Sequence, residues 1–302
     1  MVSMMVVVGL EGGGTKTGCA VLSERGKLLA YAEGGPANLN FVDATTQRQS
    51  FEDALNGALQ GIDAPVQALG YCVAGTRANW DWVLQRLGNP PAYAIEEARM
   101  AMRSTGVKVA HGVAVIAGTG ALIGGFTEDL LQVQMSGWGA LLGDEGSAYD
   151  VALRAIRAAV RAWDGRDSAT ALVDAVQRAF GVHDLHGLVP LFYERGVPRH
   201  TVAAFAKHVV DTAQAGDRRA RIILRQAGVD LARDAGACAA RLFARNETFT
   251  VAMTGGMFKS ALFRTAFQDA FRKRFPQAEF REPIMPAAAA AAYITLSRLR
   301  TG

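Results

Sequence analysis

Two short segments constrain this chain more than any other feature, because they repeat one another. Gly12-Gly13-Gly14-Thr15-Lys16-Thr17 lies near the start, and Gly118-Thr119-Gly120 lies about a third of the way along. Each is flanked on both sides by runs that read as β-strand. Met4 to Leu10 is a β-branched apolar run stopped by glycines, and Gly18 to Leu22 follows the first loop. Gly112 to Ala117 and Ala121 to Phe126 bracket the second. A third strand follows each pair, over Lys27 to Glu33 and over Leu131 to Met135, so each half opens as an antiparallel meander. No short tandem period of the solenoid kind is present.

The rest of each half supports the doubling. A helix is expected over Asp43 to Leu59, strands over Val66 to Val73 and Tyr93 to Glu96, and a helix near Trp80 to Leu87. In the second half Tyr149, Leu153, Ile156, Val160 and Trp163 recur at helical spacing, and helices dominate up to Phe243. Phe249 to Met253 reads as a strand, Thr254-Gly255-Gly256 as a turn, and Ala287 to Leu299 as an alanine-rich closing helix. With 302 residues, half of them apolar, the chain can fill two cores of ordinary size. The expected division is 1–115, completed by 287–302, and 116–286.

The net charge of +4 comes from arginine-rich helices such as Arg154 to Arg166 and Arg218 to Arg225. Those arginines alternate with acidic residues or lie on polar helix faces, so no nucleic-acid partner is expected. Met1 to Leu10 is too short to span a membrane and lacks a basic start, so neither a membrane partner nor a secretory signal is expected. Cys19, Cys72 and Cys238 are far apart and form no metal or disulfide pattern, which fits a reducing cytoplasm. His183 and His186 have a spacing that could seed a metal site, but no third ligand is near.

The first loop has the chemistry of a phosphate cradle. Glycines let backbone N–H groups approach phosphate oxygens without Cβ interference, Thr15 and Thr17 offer hydroxyls, and Lys16 offers a cation. Glu11, at the strand end, suits a hydrated Mg²⁺. The segment is neither a GxxxxGK[ST] loop nor a GxGxxG fingerprint. A plain glycine-rich hairpin is the alternative reading.

Together with Glu11-Gly12-Gly13-Gly14-Thr15-Lys16 and Gly118-Thr119-Gly120, the block Gly137-Trp138-Gly139 followed by Gly143-Asp144-Glu145-Gly146-Ser147-Ala148-Tyr149 resembles the N-acetylglucosamine kinase family. That family lies within the BadF/BadG-type group of the actin, Hsp70 and sugar-kinase superfamily. The similarity runs over nearly the whole chain.

The resemblance implies an α/β fold of two actin-like (ribonuclease H-like) domains around a cleft for ATP and a small amino sugar, with Mg²⁺ as metal and a homodimer as assembly. It implies that Gly13, Gly14, Thr15 and Lys16 hold phosphates, with Gly255 and Gly256 under the adenosine. Thr119 and Gly120 would line the cleft, Asn38 and Asp144 would contact the sugar, and Ala148 would form a small wall. Asp144 and Glu145 also read as charges complementing the start of a helix. Trp138 reads first as a core side chain, or else as a stacking face for a sugar.

The family's general base is an aspartate that follows a strand and precedes small residues. Glu97, in Ile95-Glu96-Glu97-Ala98, falls at that place, and the pair Glu96 and Glu97 also reads as the polar start of a helix. The extra methylene moves a carboxylate by about 1 Å, and a misplacement of that size can cost on the order of 100-fold in rate. Ala74 stands where the family tends to offer a serine. The expected activity is transfer of the γ-phosphoryl group of ATP to the 6-hydroxyl of N-acetylglucosamine, with domain closure excluding water. A glucosamine kinase, an ATPase activator of the BadF/BadG type and a sugar sensor with little turnover are the alternatives. The activator holds an iron–sulfur cluster, for which three scattered cysteines supply no plausible site.

Overall fold

The computed structural model describes residues 5–39, 42–75 and 81–301. Met4 and Trp80, where a strand and a helix were expected to begin, lie outside them. The chain divides into two units, one of Met1–Ala110 with Glu282–Gly302 and one of His111–Arg281. A boundary at 115/116 would fall inside a strand of the second unit, Gly112–Ala117.

The first unit carries β1 (Val6–Gly12), β2 (Thr17–Ser23), β3 (Leu28–Gly34), α1 (Ala44–Leu59), β4 (Val66–Val73), α2 (Asp81–Arg86), β5 (Ala92–Ala94) and α3 (Glu97–Ser104). The second carries β6 (Gly112–Ala117), β7 (Ala121–Thr127), β8 (Leu130–Ser136), α4 (Ala148–Trp163), α5 (Leu172–Phe180), the short α6 (Leu188–Pro190), α7 (Arg199–Gln214), α8 (Arg218–Ala239), β9 (Thr250–Thr254), α9 (Ala261–Arg272) and β10 (Glu279–Arg281). The chain then returns to the first unit as α10 (Ala287–Thr301).

The sheets have strand orders β3-β2-β1-β4-β5 and β8-β7-β6-β9-β10, the second read from its far edge. In both, the first three strands are antiparallel and the last two run parallel to the first. One topology is therefore built twice, and each glycine loop connects the same pair of strands. Of these elements, α9 and β10 were not expected from the sequence. β10 is three residues long, too short to show a period.

In the first unit, α1 lays Phe51, Ala54 and Leu55 on one face of the sheet. On the other face α10 packs unusually close. A Cβ at Gly9 would sit 1.9 Å from the Ala288 carbonyl, and one at Gly70 would sit 2.0 Å from Thr295 Oγ1. Alanines on the helix and glycines on the strands together permit that approach. The second unit's core joins β6, β7 and β9 to α4, α7 and α8 and to the phenylalanines of α9. Cys238 is buried in it, at the place its helical spacing predicts. Among the described residues no helix is long and apolar enough to cross a membrane.

Candidate functional site

In the first unit the chain leaves β1 at Gly12, turns through Gly13–Lys16 and enters β2 at Thr17. Gly13 N–H donates to the Lys16 carbonyl at 2.9 Å and closes the turn. Two other segments are pinned against it: Ala37 and Asn38 N–H donate to Gly13 C=O at 3.0 and 3.2 Å, and Ala74 N–H donates to Gly12 C=O at 2.9 Å. This brings Asn38 and Ala74 beside the loop. Asn38 is buried, and Gly75, at φ +94°, makes room for it, since a Cβ there would lie 2.2 Å from Asn38 Oδ1.

Thr15 and Lys16 are exposed at the tip, whereas Thr17 is fully buried and its hydroxyl donates to Gly35 C=O at 2.8 Å. Thr17 is therefore not a free loop donor, contrary to its reading as one of two hydroxyls. In a strand, alternate residues face opposite sides, and Thr17 as the first residue of β2 faces inward. Lys16 Nζ pairs with Glu33 on β3, and the Tyr31 hydroxyl donates to the same carboxylate.

Four acidic side chains surround or approach this loop. Glu11, half-buried on β1, has its carboxyl pushed up to about 7. Burial is the main cause; Glu97 and Glu33 add to it, and Lys16 opposes it. Glu97 is the first residue of α3, and its side chain is exposed. It is thus a helix start as well as the base candidate, and both readings describe one residue. Next to it, Glu96 pairs with Arg99 at 3.1 Å. The Cys72 thiol is pushed up by burial and then by the charges of Glu97 and Glu11, so the fold brings β1, β4 and α3 to one acidic corner. Among the described residues no three His, Cys, Asp or Glu side chains form a metal cage. Mg²⁺ does not need one, because it commonly keeps its waters and takes one or two carboxylates plus phosphates. The carboxylate oxygens at this corner are the donor type such an ion takes.

In the second unit β6 and β7 are joined by Gly118-Thr119-Gly120, with Gly118 N–H donating to Gly120 C=O at 2.9 Å. The first amides of α4 hold this loop: Ala148 N–H donates to Gly118 C=O at 2.9 Å and Tyr149 N–H to Thr119 C=O at 3.3 Å. Ser147 is the N-cap, accepting from Asp150 N–H at 3.1 Å, while Asp150 accepts from Gly146 N–H at 2.8 Å. Asp144 therefore lies outside the helix and does not cap it. It is 3% exposed and adopts φ +66°, a left-handed conformation uncommon for a residue with a side chain. Its Oδ1 accepts from Ala121 N–H at 3.0 Å, and its Oδ2 pairs with Arg199 at the start of α7.

Gly255 also belongs to this corner. It has φ +101°, and a Cβ there would lie 2.3 Å from the Ala117 carbonyl and 2.8 Å from Gly118 N. The turn of Gly255 and Gly256 thus lies directly beside the second loop, and nothing lies within 4 Å of a Cβ built on Gly256.

Trp138 is 75% exposed, with Leu141 and Leu142 exposed nearby, so it is not a core residue. Residues 137–143 follow the end of β8 as a loop, which removes the neighbours a core tryptophan would need. His183 and His186 are a surface pair: Asp184 caps the turn after it and meets His186 Nδ1 at 2.9 Å. Sequence reasoning missed Arg199. Its one local signal is a cation at the N-terminus of a helix, where the dipole disfavours it.

Residues 8–292 match the BadF/BadG/BcrA/BcrD ATPase family. The chain is 26% identical over 282 residues to an N-acetylmuramic acid/N-acetylglucosamine kinase of Clostridium acetobutylicum, covering 89% of this chain and 90% of the relative. It is 27% identical over 239 residues to a glucosamine kinase of Vibrio cholerae, covering 76% and 78%. The crystal structure of a Chromobacterium violaceum protein, provisionally assigned as an N-acetylglucosamine kinase, is 25% identical with a TM-score of 0.73, covering 97% of this chain and 99% of that one. That likeness identifies the two units as an actin-like sugar-kinase fold. A match over nearly the whole length, on a topology built twice with a glycine loop in each copy, has one conclusion: the chain belongs to the BadF/BadG/BcrA/BcrD ATPase family.

Proposed function

We propose that this protein is an ATP-dependent kinase that phosphorylates N-acetylglucosamine on its 6-hydroxyl. The observation that carries the reading is the buried Asp144 carboxylate. It is held outside any helix-capping role beside the loop of Gly118 to Gly120, in a chain whose other glycine loop presents Thr15 and Lys16 outward. A buried, fixed carboxylate accepts charge-assisted hydrogen bonds from sugar hydroxyls. Its relatives named above, which act on amino sugars, support the substrate class.

In this reading Gly13, Gly14, Thr15 and Lys16 bind the β- and γ-phosphates, and Gly255 and Gly256 leave room for the adenosine. Lys16 exchanges Glu33 for phosphate. Asn38 and Asp144 hold sugar hydroxyls, Thr119 and Gly120 border the sugar, and Ala148 keeps the wall small. Glu97 accepts the proton of the attacking 6-hydroxyl as the oxygen–phosphorus bond forms and ADP leaves. Glu11 would hold a hydrated Mg²⁺, which when bound neutralises phosphate charge. The reading includes a cytoplasmic enzyme, in keeping with three free cysteines, and a homodimer, which light scattering would test.

A second reading, a glucosamine kinase, draws on the Vibrio cholerae relative. One assay separates them: ADP release with N-acetylglucosamine, glucosamine, N-acetylmannosamine and glucose, with the product identified by NMR. The highest kcat/KM is expected for N-acetylglucosamine. A higher value for glucosamine selects the second reading. ATP hydrolysis that no sugar accelerates overturns both.

A further inference from the structure

We propose that Arg199 is the positioning residue of the sugar site: it holds the Asp144 carboxylate in the orientation a sugar needs, and acts only through it. This rests on the reading of Asp144 as a sugar contact. Arg199 is the first residue of α7, which has no side-chain cap and no acidic residue in its first turn. A guanidinium there works against the helix dipole, so local preference does not account for it. What accounts for it is distant in sequence. Arg199 Nη2 meets Asp144 Oδ2 across 55 residues, while the Asp144 side chain is only 4% exposed.

The surroundings are shaped to this pair. A Cβ on Gly120 would lie 2.9 Å from Arg199 Nη2 and 3.0 Å from Asp144 Oδ2, so the loop glycine leaves the space the pair occupies. The guanidinium also sits 5.5 Å from the ring of Tyr149, in the first turn of α4. Asp144 is thus gripped from both oxygens, by Ala121 N–H on one and by Arg199 on the other. Its left-handed backbone needs such over-determination to persist. The carboxylate keeps further lone pairs for hydroxyl donors. Arg199 meets one oxygen, Oδ2, and the Ala121 amide meets the other, so the two together set the direction of the carboxylate as well as its charge.

The test is the steady-state kinetics of Arg199→Met, Arg199→Lys, Asp144→Asn and the double variant Arg199→Met/Asp144→Asn. KM for sugar and KM for ATP are measured separately. Arg199→Met is expected to raise sugar KM roughly 10- to 100-fold, with ATP KM unchanged, because a hydrogen bond to a charged group is lost. Arg199→Lys should fall between it and the wild type. The double variant should be no worse than Asp144→Asn. A merely structural role would lower kcat through loss of folded protein and leave sugar KM alone. Wild-type sugar KM in Arg199→Met overturns the proposal. Should that variant fail to fold, wild-type sugar KM in Arg199→Lys does the same. Additive losses in the double variant, or a rise in ATP KM instead, also overturn it. If Asp144→Asn leaves sugar KM unchanged while the wild type phosphorylates amino sugars, the reading of Asp144 falls and the proposal with it.

Discussion

The two glycine loops join equivalent strands of equivalent sheets, yet their electrostatic surroundings differ. Around Gly13–Lys16 stand Glu11, Glu33 and Glu97; Lys16 pairs with Glu33, and the Glu11 carboxyl is pushed up to about 7, first by burial and then by the charge of Glu97. Around Gly118–Gly120 the buried carboxylate of Asp144 has a guanidinium and a backbone amide, and the loop carbonyls receive the first amides of α4. One corner gathers several carboxylates; the other holds a single buried carboxylate between a guanidinium and a backbone amide. The lesson is that one topology can be finished in two ways. A corner rich in carboxylates suits a cation and its phosphates, and a single oriented carboxylate suits a neutral molecule read by hydrogen bonds.

Glu97→Gln bears on this comparison with the largest expected effect. As the base, its loss should lower kcat on the order of 100- to 10,000-fold while sugar binding by calorimetry stays intact. Wild-type kcat would move the base elsewhere, with Asp144 the next candidate. The same variant should also bring the Glu11 carboxyl down, since Glu97 is its largest charged cause.

The second corner is probed by Asp144→Asn, alongside Asn38→Ala in the first unit. Each should weaken sugar affinity by about 1–3 kcal/mol, the cost of leaving buried partners unmatched. Nucleotide affinity should barely change. A collapse of ATP binding would show that the two corners have been assigned the wrong ligands.

The raised Glu11 carboxyl, buried and next to Glu97, has a thermodynamic consequence without ligand. A glutamate raised from 4.5 to about 7 in the folded protein holds its proton more tightly there than in the unfolded chain. The stability it contributes is fully present below pH 4.5 and is lost as pH rises through 7. Glu11→Gln should therefore flatten the decline between pH 5 and 8, by about 2 kcal/mol in denaturant titrations. An unchanged pH profile would mean that burial and the charge of Glu97 do not raise the Glu11 carboxyl.

The smallest effect is expected from Thr15→Val, which removes one exposed hydroxyl and keeps its volume. ATP KM should rise by roughly tenfold or less, about 1 kcal/mol of lost hydrogen bonding. Unchanged ATP kinetics in folded protein would separate the loop from the phosphates.

What could be read in the sequence was local. Strand–glycine–strand segments, the helix from Ala44 capped by Asp43, and the alanine-rich α10 each carry their signal within a few residues. Turn glycines, caps and apolar periods act over one or two turns of chain. Asn38, Asp144 and the residues of both loops were singled out through the contiguous motifs that carry the family resemblance.

The tertiary structure decided what those residues do to each other. Glu11 and Glu97 come together because β4 lies parallel between β1 and β5, and α3 follows β5. Arg199 reaches Asp144 because α4 and α7 pack in one core. Thr17 turned inward and Trp138 turned outward for the same reason: exposure is set by which elements cover a residue, not by its type. Charge acts through space and falls with distance, so a shifted carboxyl or a buried ion pair exists only once the chain has folded. The sequence by itself determined two glycine-looped sheets and the residues at their tips. The fold alone determined that Glu97 is brought to the Glu11 carboxyl and that Arg199 is brought to Asp144.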